Sequence, residues 1–245
     1  MKSMNRRTML TSSVLAAGAA ALGVNQADAQ QRINNVRNRI VRPIIQEATG
    51  MSGGFKRYPN EFFYDKDGKF LPERAKQAYY EMFEYYNYPI LPMLKPDSPD
   101  FWVLDFGLGD FANCGMGGIF WVNVQKYSYF GHEIYLLPGQ MIPEHHHIAT
   151  DFPPKMESWQ VRHGSAYNFG EGEVPNATPK EIPASQRGKT NCTQCEYLVA
   201  GDIRHLEVEE AWHFLMGGDE GAIITEYATY HDGAGVKFSN PDAVM

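Results

Sequence analysis

Two histidines one residue apart and a carboxylate shortly after them are the residues of this sequence best suited to chemistry. The segment Gly139-Gln140-Met141-Ile142-Pro143-Glu144-His145-His146-His147 is followed by Lys155-Met156-Glu157. In a strand, residues i and i+2 point to one face, so His145 and His147 can aim their imidazoles at one point while His146 turns away. Two neutral imidazoles and a carboxylate suit Mn, Fe, Zn, Ni or Cu. Glu157 begins the next strand-like run and can supply the carboxylate. The competing reading is a polar edge strand with three surface histidines. Two other motifs are weaker. Cys192-Thr193-Gln194-Cys195 has redox or half-zinc spacing, but no second CxxC accompanies it, so a zinc ribbon is excluded. A surface-loop pair, able to close a small disulfide in an oxidising compartment, is expected there. Asp105-Phe106-Gly107-Leu108-Gly109-Asp110 contains DFG and GxG, but no P-loop lysine, HRD loop or strand-to-helix glycine fingerprint goes with it. It reads as a strand-end turn.

The elements that must position these residues are mostly strands. Residues 101–104, 119–124, 133–137, 158–161, 203–208 and 222–227 are short runs rich in β-branched and aromatic residues, bounded by Gly, Pro or Asp. Successive short strands without intervening helices predict a mainly β fold, an antiparallel barrel or double-sheet jelly roll. Ahead of them, residues 72–87 carry Ala75, Ala78, Tyr79, Met82, Phe83 and Tyr86 at helical spacing, with Pro72 in the first turn. That stripe must be buried against something large. The aromatic residues between Phe55 and Tyr88 read most simply as core, with a sugar-stacking platform as the alternative. Residues 169–191, rich in Pro, Gly and Thr, form a long loop between two strand groups.

The N-terminus pairs Arg6 and Arg7 ahead of a mild apolar run from Ser13 to Val24, then Ala27-Asp28-Ala29. This is the pattern of a twin-arginine export signal, residues 1–29, and predicts a periplasmic or otherwise exported protein. The apolar run is short against the ~20 residues needed to span a bilayer, so no stable membrane span is expected after signal removal. Removal takes away Lys2, Arg6, Arg7 and Asp28, which turns the formal charge of −7 on 245 residues into −9 on 216. An acidic chain argues against a nucleic-acid partner. Residues 30–54 read as an N-terminal arm or helix, with Ile33, Val36, Ile40, Ile44 and Ile45 among arginines. Three cysteines cannot form a fully paired disulfide framework.

The pattern from Gly139 through His145 and His147 to Glu157 and Gly164 resembles the first motif of the cupin superfamily, and Gly201 with His213 loosely resembles the second. The resemblance implies a cupin-type jelly roll over residues 55–245 with a helical N-terminal extension, and His145, His147, Glu157 and His213 as four metal ligands. The order of the helix at 72–87, Trp102 to Phe111, the HxH with its K-x-E, Trp212-His213-Phe214 and Gly221 to Tyr227 resembles the D-lyxose ketol-isomerase family over roughly residues 60 to 242. Members of that family bind a divalent ion, typically manganese, and interconvert aldoses and ketoses such as D-lyxose and D-xylulose. The resemblance implies Mn, with Fe, Zn, Co or Ni as alternatives, a carbohydrate substrate, and Lys155 and Glu226 as the catalytic residues beside the ion. A cupin oxygenase or lyase acting on a sugar derivative, and a non-catalytic sugar-binding cupin, stand as alternatives. A homodimer joined through barrel edges or the 32–49 arm is compatible with the resemblance. Residues 148–154 lie between His147 and Lys155 as an insertion relative to the family pattern, either reshaping the mouth of the site or displacing Lys155 and Glu157.

Overall fold

The computed structural model describes residues 55–171, 181–192 and 194–245. The expected export signal (1–29) and the expected arm (30–54) lie outside the described residues, as does the centre of the expected loop after Gly170. Among the described residues no helix is long and apolar enough to cross a membrane.

Helix α1 (Pro72–Tyr85) starts on a proline that has no amide hydrogen to leave unpaired, and it ends two residues earlier than the apolar stripe suggested. All six residues of the stripe are buried. They pack on Ile119, Tyr135 and Ile223 in one aromatic-rich core, where Phe83 meets Tyr135 at 4.6 Å between ring centroids. The rings between Phe55 and Tyr88 therefore belong to core packing.

Among the described residues nine strands follow: β1 (Trp102–Leu104), β2 (Met116–Val124), β3 (Tyr129–Leu136), β4 (His145–His147), β5 (Glu157–Gly170), β6 (Gln194–Val199), β7 (Ile203–His205), β8 (His213–Ala228) and β9 (Val236–Phe238). All pairings between them are antiparallel, in the order β1-β2-β3-β8-β4-β9, with β5 along β8 and carrying β6 and β7. This is the mainly β, cupin-type jelly roll expected from the sequence. The predicted strand at 222–227 is the second half of a sixteen-residue β8 that begins at His213. Gly217, Gly218 and Gly221 give its middle the composition of a turn, yet they lie in the strand because the backbone passes close to neighbours there. A Cβ on Gly217 would sit 2.5 Å from the Leu137 carbonyl oxygen. Gly164 in β5 answers the same constraint. Its φ is +69°, and a Cβ there would lie 2.1 Å from the Gly221 carbonyl oxygen. The register shifts beside it bend the two long strands. Residues 105–110 form the expected turn, with Phe106, Gly107 and Gly109 at positive φ.

Strand alternation divides the sheet residues between two environments. Ile119, Tyr135 and Ile223 face α1, whereas Phe130, His132 and Ile134 of β3, Glu157 and Trp159 of β5, Ile224 and Glu226 of β8, and His145 and His147 of β4 face the opposite way. The turn into β4 is held by Gln140, fully buried, which accepts from Tyr79 Oη at 2.6 Å and from the Leu137 amide at 3.0 Å, and donates to the Phe111 carbonyl at 2.5 Å.

Candidate active site

His145, His147, Glu157 and His213 converge, with one ligand atom from each lying within 4.8 Å of all the others. Two strand pairings create this cluster. His145 is the cross-strand partner of His213 between β4 and β8, and Glu157 opens β5 where it pairs with the end of β8. Glu144 holds β4 in place from behind. Its buried carboxylate accepts from the Asn191 and Cys192 amides at 2.8 and 2.7 Å, and its carbonyl accepts from Ser239 N at 3.1 Å.

Outer contacts set the histidine tautomers. His145 Nδ1 lies 3.0 Å from the Pro143 carbonyl and His213 Nδ1 lies 2.8 Å from the Ala211 carbonyl. A carbonyl can only accept, so each Nδ1 carries a proton, and in the neutral imidazole the Nε2 lone pair is left for another partner. His147 Nε2 and His213 Nε2 reach 2.9 and 3.1 Å from the two oxygens of Glu157, yet both are buried with no hydrogen bond of acceptable geometry. Orphaned imidazole nitrogens around one carboxylate are what a divalent cation requires. The residues present fit such an ion. His146 points away, as the alternation predicts, and stacks on Trp212 at 3.9 Å. An edge strand with three surface histidines is therefore not what forms.

Lys155 is not a solvated loop lysine. It is buried, and its Nζ bridges Glu157 Oε1 at 2.6 Å and Glu226 Oε1 at 2.5 Å, over the face of Phe130 at 4.5 Å. The 148–154 insertion does not displace it. That segment is pinned by Ile148 N to the Gly235 carbonyl and Thr150 Oγ1 to Asp232, and the chain just beyond Lys155 by Met156 N to Thr229 Oγ1. Burial alone would raise the Glu157 carboxyl, but Lys155 and His147 outweigh it and hold it well below the usual carboxylate range. Burial and Glu157 both push Glu226 up, and Lys155 and His132 overcome them, so Glu226 is also lowered. Burial opposes charge on Lys155, and the two carboxylates more than compensate and raise it. Burial and its two histidine neighbours press His145 well below its ordinary value, whereas the Glu157 carboxylate raises His213 against the effect of burial. The cluster draws positive charge but cannot place a proton on every imidazole, which again suits one divalent ion.

The six residues nominated from the sequence share one cavity of about 340 Å³. Sequence reasoning missed His132 and His231 on its wall. His132 is the register partner of Glu226, with Nδ1 3.6 Å from Glu226 Oε2, and burial holds its imidazole below the ordinary value. Period-two alternation with Ile134 was the available signal for it. His231, in the loop after β8, is lowered to about 4 by burial and by Lys155. Correction is needed at the cysteines: Cys192 and Cys195 are not a surface-loop pair. All three cysteines are buried thiols, Cys195 within β6, because the segment packs with Phe169 and Phe214.

Comparison with known proteins agrees with this geometry. No protein-family model matches the chain. The D-lyxose/D-mannose isomerase of Thermosediminibacter oceani is 31% identical over 173 residues, covering 69% of this chain and 91% of the relative. The D-lyxose ketol-isomerase of Cohnella laeviribosi is 30% identical over 129 residues, covering 52% of this chain and 69% of the relative. Among solved structures, Acinetobacter sp. DL28 L-ribose isomerase in complex with L-ribose has a TM-score of 0.55 at 17% identity, covering 74% of this chain and 95% of that one. Cellulomonas parahominis L-ribose isomerase without ligand has a TM-score of 0.53 at 16% identity over the same shares. At those identities the solved structures establish the shared fold, and the sequence match over 91% of the Thermosediminibacter oceani relative carries the assignment: the chain belongs to the D-lyxose isomerase family of aldose–ketose isomerases.

Proposed function

We propose that this protein is an exported, divalent-metal-dependent isomerase that interconverts an aldose and a ketose of the D-lyxose/D-xylulose type through a cis-enediol, with manganese as the resident ion. The observation that carries the reading is the buried Lys155 bridge between Glu157 of the ion cluster and Glu226. His145, His147, Glu157 and His213 would hold the ion. When bound, it would supply Lewis-acid stabilisation of negative charge on the substrate oxygens. The chain's own residues account for the proton movement. Glu226 is lowered by Lys155 and His132 despite its burial, so it is ionised at neutral pH and can take the C2 proton and return it to C1. Lys155 keeps its charge and stands beside both carboxylates, where it can hold the developing enediolate oxygen. The apolar walls exclude bulk water, which strengthens the electrostatic interactions around the reacting atoms.

Export would follow the twin-arginine route, with residues 1–29 removed and the 30–54 arm retained in a homodimer. N-terminal sequencing of the exported protein and its mass in solution test those two statements. The central test incubates the manganese-loaded protein with a panel of pentoses and hexoses. Aldose–ketose exchange with deuterium entering at C2 is expected. Oxygen uptake or an unsaturated product in its place would favour the oxygenase or lyase reading, and absence of any exchange across the panel rejects the isomerase.

A further inference from the structure

The cavity is chemically lopsided. Its ionisable residues sit together, and most of the remaining wall is carbon. With four ligands given to the ion and Lys155 and Glu226 to proton transfer, two hydrogen-bonding imidazoles remain, His132 and His231. Both have a buried ring nitrogen without a partner, Nε2 in His132 and Nδ1 in His231. Beyond them the lining side chains offer only the indole N–H groups of Trp102 and Trp159. Apolar side chains make up the rest of the wall, among them Leu104, Phe106, Phe120, Phe130 and Phe238 together with the Trp102 ring. The alternation that delivers the ion ligands also delivers these side chains. Phe120 is the register partner of His132, and Phe238 is the partner of His145. Their rings close on one another, Trp102 against Phe120 at 5.5 Å and Phe106 against Phe238 at 5.6 Å. Lys155 is the single cation on this wall, and it is already bridged to two carboxylates.

An aldose carries an oxygen on every carbon. Its C1 and C2 oxygens meet the ion cluster and the catalytic pair, and one or two more can meet His132 and His231. The terminal oxygen then faces carbon, where a hydroxyl loses water without gaining a partner. A phosphate or carboxylate terminus would meet no unpaired cation among the described residues. We infer that the preferred substrate is a neutral sugar deoxygenated at its terminal carbon, a 6-deoxyhexose or 5-deoxypentose, whose methyl group packs against this aromatic wall. The inference rests on the isomerase reading, and it specifies the sugar class within it.

Binding and turnover are measured separately on the manganese-loaded full chain. Calorimetry with 1-deoxymannitol and D-mannitol, which cannot isomerise, reads recognition alone. The deoxy alditol should bind about 10- to 100-fold more tightly, the range expected for one hydroxyl in an apolar pocket. The kcat/KM for 6-deoxy-D-mannose should exceed that for D-mannose by a similar factor, and mannose 6-phosphate should be inert. Phe120→Asn, at a half-exposed rim position, and Phe238→Asn should each shrink the preference. Either variant suffices if the other fails to fold. Equal affinity for the two alditols, tighter mannitol binding, or no binding of the deoxy alditol overturns the inference. Preferential alditol binding without turnover of either aldose would reject the isomerase and leave the recognition standing. Turnover of both aldoses at equal kcat/KM, with equal alditol affinity, would do the reverse.

Discussion

The two faces of strands β2, β3 and β8 are made by alternate residues of the same segments, yet they are opposite in character. Toward α1, Ile119, Tyr135 and Ile223 pack against Tyr79, Met82 and Phe83, all fully buried. Each such side chain contributes roughly 1.5–3 kcal/mol by leaving water. Toward the cavity, His132 and Glu226, with Glu157, Lys155, His147 and His213 nearby, are almost equally buried and ionisable. Burying each ion costs several kcal/mol, which pairing only partly returns. The helix-covered face stabilises the sheet, and the cavity face spends part of that stability on chemistry. A one-residue register slip would exchange the two sets, so the apolar face also enforces the register that assembles the site.

Substitutions on each face should therefore fail differently. Glu226→Gln keeps the shape and removes the proton carrier, so kcat should fall by about 10²–10⁴, equivalent to about 2.7–5.5 kcal/mol, with the melting temperature shifted by only a few degrees. Steady-state kinetics and a thermal melt check both halves, and a fall under about tenfold would remove Glu226 from proton transfer. Phe83→Ala, on the other face, should cost about 3–5 kcal/mol of stability in urea unfolding, while the fraction that remains folded keeps its kcat. If Phe83→Ala lowers kcat in fully folded protein, the division between the faces is wrong.

Manganese addition gives the next largest effect. At a hundredfold excess over its dissociation constant, an ion that binds only the folded chain adds about 2.7 kcal/mol. Differential scanning fluorimetry after chelation and reloading should show the gain in the parent and in Phe83→Ala, but not in His147→Ala. Retention of the gain in His147→Ala would place the ion elsewhere.

The same division explains what could be read from the sequence. The α1 stripe was legible residue by residue because one helix face and its 3.6-residue period are local. His145, His147 and Glu157 were legible by strand spacing and residue type. His213 rested on family resemblance, because its approach depends on cross-strand pairing with His145. The first half of β8 was hidden by Gly217, Gly218 and Gly221, whose turn-like composition serves close backbone approach inside a strand. His132 was missed because its alternation with Ile134 marks a shared strand face and not what that face meets. Its place beside Glu226 follows from the β3–β8 register, which long-range packing on α1 decides. The aromatic wall beside the ion cluster has the same origin, being set by which strands become neighbours.

The smallest expected effect concerns the cysteines, where local spacing suggested redox chemistry and packing prevents it. Cys192 Sγ donates to the Trp212 carbonyl at 3.0 Å, and burial followed by the adjacent Glu144 carboxylate pushes its thiol far up. Burial, with Asp110 and Asp105, does the same to Cys114. A raised thiol pKa means that the protonated, unreactive form persists through neutral and mildly alkaline pH, since the thiolate is the nucleophile. Iodoacetamide at pH 8 should therefore leave Cys114 and Cys192 of the native protein essentially unmodified over a period that labels the urea-unfolded chain completely, as read by mass spectrometry. Glu144, the residue preceding His145, accepts from the Cys192 amide, so any labelling at Cys192 also reports β4 coming loose. Chelation should change that labelling only slightly, because Glu144 and the Ser239 contact hold β4 independently of the ion. Rapid modification of Cys192 on chelation alone would show that the ion, rather than the packing behind β4, keeps the histidines in register.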